Sequence, residues 1–236
     1  EKNSVKKAEQ ELKNRYESLE NKYDKFLAGN YDYKANTYET NKINLLSNPT
    51  SLYTNQPTVY YGLMYLAKNA KKEVKIHTPY IICNDYMYKE LKNIKVPTTI
   101  MTNSAENNGN IFGAVDYLNH KKDIINTGVT IKEYEGGISY HGKSMTIDDD
   151  IAIVGSFNMD MRSAYIDTEL MLVINSKDIN KQLKASMEEY EKKATVKNET
   201  EYSHIPEGMK MKELSDKKKN IKAWFGWAMN GLRFLF

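Results

Sequence analysis

A histidine, a lysine and a few small polar residues lie between Tyr140 and Glu169, and their types and spacing suit chemistry on an anion. His141 and Lys143 are two positions apart, and residues two apart in an extended strand project from one face. An imidazole and an ammonium group then point the same way. The run Asp148-Asp149-Asp150 reads as a turn, because aspartate is poor in strands and favoured where a chain reverses. Ile151 to Val154 follows as a short buried strand that delivers Gly155, Ser156, Phe157 and Asn158 at its end. Such a hairpin could gather His141, Lys143, Ser156 and Asn158 around one small anion. Lysine supplies charge, serine and asparagine supply neutral donors, and Gly155 permits close backbone approach.

The elements that must hold this hairpin alternate along the chain. Helices are expected over Thr58 to Ala70, Asp85 to Asn93, from Ile111 to a stop at Gly128, and after Ser176 with an inner face of Ile179, Leu183, Met187 and Tyr190. Strands are expected from Val74 to Ile82, Val96 to Thr102, Val129 to Tyr134 and Leu170 to Ile174. This alternation predicts an α/β architecture, a mixed β-sheet flanked by helices. His77 precedes a threonine and a proline and reads as structural, and His120 lies on a solvated helix face. Cys83 follows two isoleucines and reads as a small core residue.

The full pattern is His-x-Lys, four residues, Asp, six residues, Gly-Ser-x-Asn. It resembles the HKD signature of the phospholipase D superfamily. The resemblance implies one half of a phospholipase D-like fold over residues 53–200. It also implies a catalytic set of His141, Lys143, Asp148 and Glu169, with Lys143, Ser156 and Asn158 on the phosphate. Glu169 resembles the family's acid that holds the catalytic histidine, and Asp148 its motif aspartate, expected to orient the site. The implied reaction attacks a phosphodiester, forms a phosphohistidine and passes it to water or an alcohol. No metal or cofactor is required, and adjacent aspartates at 148–150 diverge too far to act as one ligand set. The segment Thr78-Pro79-Tyr80-Ile81-Ile82 is similar to the Ser-Pro-Tyr-Phe strand of the cardiolipin-synthase-like branch, with threonine for serine. Thr102-Asn103-Ser104, Gly128-Val129 and Thr168-Glu169-Leu170 are similar as well.

This branch implies a phospholipid substrate, an alcohol acceptor such as phosphatidylglycerol, and a membrane-associated enzyme on the cytoplasmic face. Family members build one site from two HKD motifs, and His77, His120 and His204 all lack the pattern. A second HKD half is therefore expected, either from a missing N-terminal region or from a homodimer. The chain starts at Glu1 rather than methionine, which fits a piece of a longer two-motif enzyme, with this chain as its C-terminal half. Alternatives are an endonuclease of the same superfamily and an inactive half-site or scaffold module. A net charge of +3 and scattered tyrosines disfavour nucleic acid as the partner.

The 236 residues are 40% hydrophobic and 28% charged, which supports a packed core under a polar surface. One cysteine excludes an intrachain disulfide. Residues 1–52 are expected as an N-terminal helix and irregular linker, the helix carrying a seam of Leu12, Tyr16, Leu19, Tyr23 and Phe26. Residues 201–236 are expected as a separate basic and aromatic tail. There Lys217, Lys218 and Lys219 precede Trp224, Phe225, Trp227 and Phe234, a composition suited to a bilayer headgroup boundary.

Overall fold

From residue 39 onward apolar positions switch repeatedly between period two and helical spacing, and the chain folds accordingly. The computed structural model describes residues 2–23, 32–50, 56–198, 201–209, 212–225 and 231–235. Two units divide the chain, Glu1–Tyr38 and Glu39–Phe236. The first holds α1 (Lys2–Lys22), on which Leu12, Tyr16 and Leu19 are exposed, as is Tyr23 just past its end. Phe26 of the expected seam lies outside the described residues.

The second unit runs β1 (Lys42–Ser47), α2 (Thr58–Lys68), β2 (Val74–His77), β3 (Ile81–Ile82), α3 (Asp85–Lys92), β4 (Thr98–Asn103) and α4 (Ile111–Ile125). It continues with β5 (Thr130–Tyr134), β6 (Ser144–Ile147), β7 (Ile151–Gly155), β8 (Met159–Asp160), α5 (Met161–Tyr165), β9 (Leu170–Asn175) and α6 (Lys177–Glu191). Last come β10 (Ala194–Asn198), β11 (Glu201–His204), α7 (Asp216–Phe225) and a 3-10 turn, Arg233–Leu235. Among the described residues nine strands make one sheet in the order β1-β9-β7-β6-β2-β4-β5-β10-β11. Neighbours β2-β4-β5 are parallel and the remaining pairs antiparallel, so the sheet is mixed, as the alternation of elements requires. A second, two-stranded sheet pairs β3 with β8 in parallel.

Each central strand sends alternate residues to opposite sides. Ile76, Ile100, Ile131, Met145 and Ile153 meet Tyr60, Met64, Met87, Leu91 and Tyr117 from α2, α3 and α4 in one core. On the other side Lys75 and His77 meet Glu188 and Glu191 of α6. The α6 face departs from expectation. Asn180 and Met187 are its buried residues, whereas Tyr190 is 43% exposed, and Ser176 donates to the Glu39 carbonyl instead of capping the helix.

Two boundaries also differ from the sequence reading. Lys42–Ser47, expected within an irregular linker, is an edge strand registered against β9 from Lys42↔Asn175 to Ser47↔Leu170. Flanking asparagines and Pro49 mask a strand whose order comes from its partner rather than its own propensity. The second compact unit begins at Glu39. It also runs past residue 200. Lys218 Nζ donates to the carbonyls of Ala105, Glu106 and Asn108, and Arg233 pairs with Asp116 at 2.7 Å, which fastens the tail to the same unit.

Candidate active site

The parallel strands β2 and β4 end at His77 and Asn103, and His141, Lys143, Ser156 and Asn158 lie at that end of the sheet, where α/β folds place their ligands. His141 and Lys143 stand in the lead-in to β6, which starts at Ser144, three positions later than a strand through His141 requires. The pairing still reaches them, because Gly155 N–H donates to the Lys143 carbonyl at 3.3 Å. β6 and β7 form the expected antiparallel hairpin, from Ser144↔Val154 to Ile147↔Ile151.

Lys143 Nζ lies 3.0 Å from His141 Nδ1 and 2.9 Å from the His141 carbonyl oxygen. The imidazole and the ammonium group therefore meet on one side. Partial burial, then the neighbouring ammonium, hold the His141 imidazole below its ordinary value. Burial also lowers Lys143, opposed by the carboxylates of Glu169 and Asp160. The Tyr80 ring stands edge-on to His141, with centroids 6.4 Å apart.

The Gly-Ser-x-Asn segment arrives across this pair. Gly155 is forced by sterics, since an added Cβ would lie 2.0 Å from the Leu170 carbonyl oxygen. Ser156 N–H donates to Leu170 O at 2.9 Å, and its hydroxyl donates to Glu169 Oε2. The other Glu169 oxygen accepts from Ser163 Oγ at 2.8 Å. Asn158 donates to Ser163 Oγ through both its backbone N–H and Nδ2 at 3.3 Å, and its buried Oδ1 has no partner among the described residues. Asp160 caps α5 by accepting from Ser163 N–H at 2.6 Å, and burial pushes its carboxyl up to about 6.

Two of the expected residues have other contacts. Glu169 does not hold His141: its carboxylate, 6% exposed, is taken by Ser156 and Ser163, while Nδ1 of His141 faces Lys143. Ser156 pairs directly across from Leu170, so its hydroxyl reaches the adjacent carboxylate first. Asp148 is not in the site at all. It accepts from the backbone N–H groups of Lys71, Lys72 and Glu73 at the opposite end of β6. It lies seven positions from His141 with β6 between them, roughly 20 Å at the usual rise of an extended chain. Its φ of 52° closes the β6–β7 turn.

Tyr80, Asp160 and Ser163 join the site although the sequence reading assigned them no role. Asp160 lies two residues past Asn158, in the same phase of an extended segment, and precedes Ser163 at cap spacing, which is a legible signal. Of the other histidines, His77 is 1% exposed and bonds Tyr140 and Glu191, and His120 Nδ1 is 3.0 Å from Asp123. The side chain of His204 lies outside the described residues. Among the described residues no group of acids, histidines and cysteines is placed to hold a metal ion.

This geometry has relatives. Two solved structures share the fold: phosphatidylserine synthase from Haemophilus influenzae, with TM-score 0.58 and 16% identity over 82% of this chain and 48% of that one. The other is Nuc, a phospholipase D family member from Salmonella typhimurium, with TM-score 0.54 and 16% identity over 66% of this chain and 98% of that one. Cardiolipin synthase 1 of Staphylococcus epidermidis is 29% identical over 158 residues, 66% of this chain and 32% of that protein. A cardiolipin synthase of Staphylococcus aureus is 31% identical over 129 residues, 53% of this chain and 26% of that protein. The chain thus spans about a third or less of the length of these curated relatives. The family profile described as cardiolipin synthase, PLD-like domain matches residues 63–190, more than half of the sequence and all of the site hairpin, and the chain belongs to that family.

Proposed function

We propose that this chain is one phosphate-handling half of an enzyme that moves a phosphatidyl group from a glycerophospholipid to an alcohol, with hydrolysis as the side reaction. The observation that carries this reading is the 3.0 Å approach of Lys143 Nζ to His141 Nδ1, beside the hydroxyl and amide groups of Ser156 and Asn158. An ammonium group has only donors, so Nδ1 accepts and the neutral ring carries its proton on Nε2. In this resting arrangement Nε2–H is a hydrogen-bond donor and Nδ1 is held by Lys143, so neither ring nitrogen is free to attack phosphorus. When Lys143 turns to a phosphoryl oxygen, Nδ1 is released and the ring can change tautomer.

The reaction then runs in two balanced steps. An imidazole nitrogen forms a bond to phosphorus as the phosphorus–oxygen ester bond breaks, and the departing alkoxide takes a proton from a second histidine. The acceptor hydroxyl next attacks phosphorus, loses its proton to that second histidine, and frees the first ring. Lys143 and the second Nδ2 hydrogen of Asn158 stabilise the phosphoryl oxygens; Glu169 balances Lys143 and accepts from the Ser156 hydroxyl, which turns to the phosphate only by leaving that carboxylate. His77 and His120 are committed elsewhere, so the second histidine is supplied by another HKD half, upstream in the same protein or in a second copy.

The partner surface is a bilayer. Trp224 is 76% exposed, Leu232, Phe234 and Leu235 are exposed near it in sequence, and Lys217, Lys219 and Lys222 are exposed on α7. Among the described residues no helix is long and apolar enough to cross a membrane, so this segment would act at the interface. The test is incubation of the full-length protein with labelled phosphatidylglycerol. Formation of a new phospholipid and release of glycerol support the reading. Cutting of DNA with no lipid product, or no turnover of either substrate, overturns it.

A further inference from the structure

The residue that ties the two sides of His141 together is an asparagine outside the motif. Asn103 closes β4, is 1% exposed, and makes a two-way clamp on Tyr140: Oδ1 accepts from Tyr140 N–H at 2.7 Å and Nδ2 donates to the Tyr140 carbonyl at 2.9 Å. The same Nδ2 donates to the Pro79 carbonyl at 2.9 Å. One planar amide therefore grips the residue immediately before His141 and the residue immediately before Tyr80, the two rings that stand edge-on at 6.4 Å.

The surroundings leave this amide no freedom. Asn107 Nδ2 donates to Asn103 Oδ1 at 3.2 Å, and Asn107 in turn holds the 137–138 loop through Gly137 N–H and the Ile138 carbonyl. Tyr140 is locked from the other direction as well. Its hydroxyl meets His77 Nδ1 at 3.2 Å and its ring packs edge-on against Tyr134 and Tyr190. His141 lies outside the regular strand, so backbone pairing alone does not fix it, and a buried amide satisfied on both ends is the device that can.

We infer that Asn103 is a positioning residue for His141, its side-chain amide setting the imidazole and the Tyr80 ring relative to each other. It touches neither substrate nor reacting atoms. A misplacement of about 1 Å at a reacting group costs about 10²-fold in rate, so a clamp of this kind acts on turnover rather than on substrate affinity. The turnover readout rests on the phosphodiester reading given above, and two others do not.

In the folded protein, Tyr140 N–H should exchange with solvent far more slowly than the neighbouring loop amides, although Tyr140 lies in neither helix nor strand. Exchange at the rate of those neighbours overturns the proposal without any variant. In N103A, the His141 ring titration followed by NMR should move up toward the ordinary imidazole value as the ring leaves Lys143 and its partial burial, with His120 unchanged. Y140F, which keeps both backbone clamps, should leave it in place. A His141 titration unmoved in N103A overturns the proposal whatever the activity. In the full-length protein N103A should lower kcat about 10²-fold with KM within about twofold, and equal turnover overturns it. Absence of turnover in the unmodified protein would instead count against the phosphodiester reading, leaving the exchange and titration results to decide the role of Asn103.

Discussion

Nζ of Lys143 sits 3.0 Å from Nδ1 of His141 while also donating to the carbonyl oxygen of the same residue at 2.9 Å. The two side chains form a closed local pair at the end of the β6–β7 hairpin, so the charge state of one sets the other. The ammonium opposes protonation of the ring, and partial burial does so more strongly.

Replacing the lysine separates those effects. In K143M the His141 titration should rise, because one of the two causes that lower it is gone, yet remain below the ordinary value while burial persists. Turnover by the full-length protein should fall about 10² to 10³-fold, the usual cost of one transition-state donor. NMR titration of the ring and steady-state kinetics check both; an unshifted ring means the pair does not exist in solution.

Asp148 should behave as a structural residue. D148A leaves the N–H groups of Lys71, Lys72 and Glu73 without their acceptor and should cost about 1–3 kcal/mol in denaturant unfolding. Burial raises its pKa, but the three N–H donors outweigh that and hold the carboxyl below its ordinary value. Its contribution is therefore complete above the unfolded value of about 3.9 and is lost as pH falls through the lower native value. Stability of wild type and D148A should converge in that acid range, and the His141 titration should be identical in both.

Asp160 carries the opposite sign. Burial lifts its carboxyl to about 6, against the pull of Ser163 N–H. The native protein keeps this proton at pH values where the unfolded chain, near about 3.9, has lost it. Stability from this group is full below that unfolded value and declines as pH rises through about 6. D160N should flatten the decline while still accepting from Ser163 N–H. Urea unfolding across this interval reads it directly, and identical slopes for the two proteins would refute the assignment.

Gly155 should tolerate no side chain. The Cβ of G155A would meet Leu170 O at 2.0 Å and Met171 Sδ at 2.6 Å, and the carbonyl belongs to a paired strand that cannot yield cheaply. The expected loss is about 3 kcal/mol, from overpacking at the junction of β7 and β9. A melting temperature within a degree or two of wild type would mean the strands are farther apart than described.

The chemistry of the site was more legible in the sequence than its wiring. The triple aspartate marked the hairpin turn because that signal is local, and His141 and Lys143, two positions apart, meet although they precede the regular strand. Glu169 was readable as a site acid but not as the partner of Ser156 and Ser163, since which hydroxyl reaches a carboxylate depends on strand register. Asp148 looked catalytic from its place in the motif, and its contacts with residues 71–73 arise only when β6 lies beside β2. Strand β1 was hidden for a related reason: an edge strand between polar, proline-containing segments has little signal until β9 is alongside. Asn103 could be quoted from the sequence, yet its clamp joins positions 79, 103 and 140, a relation no periodicity carries.

The central claim is that His141 handles the reacting phosphoryl group. Single-turnover release of labelled alcohol from phosphatidylglycerol by the full-length protein should fall at least about 10³-fold in H141N, with the fold intact by circular dichroism. Release by H141N within a few-fold of wild type would contradict the account, whatever the positions of Lys143, Ser156 and Asn158.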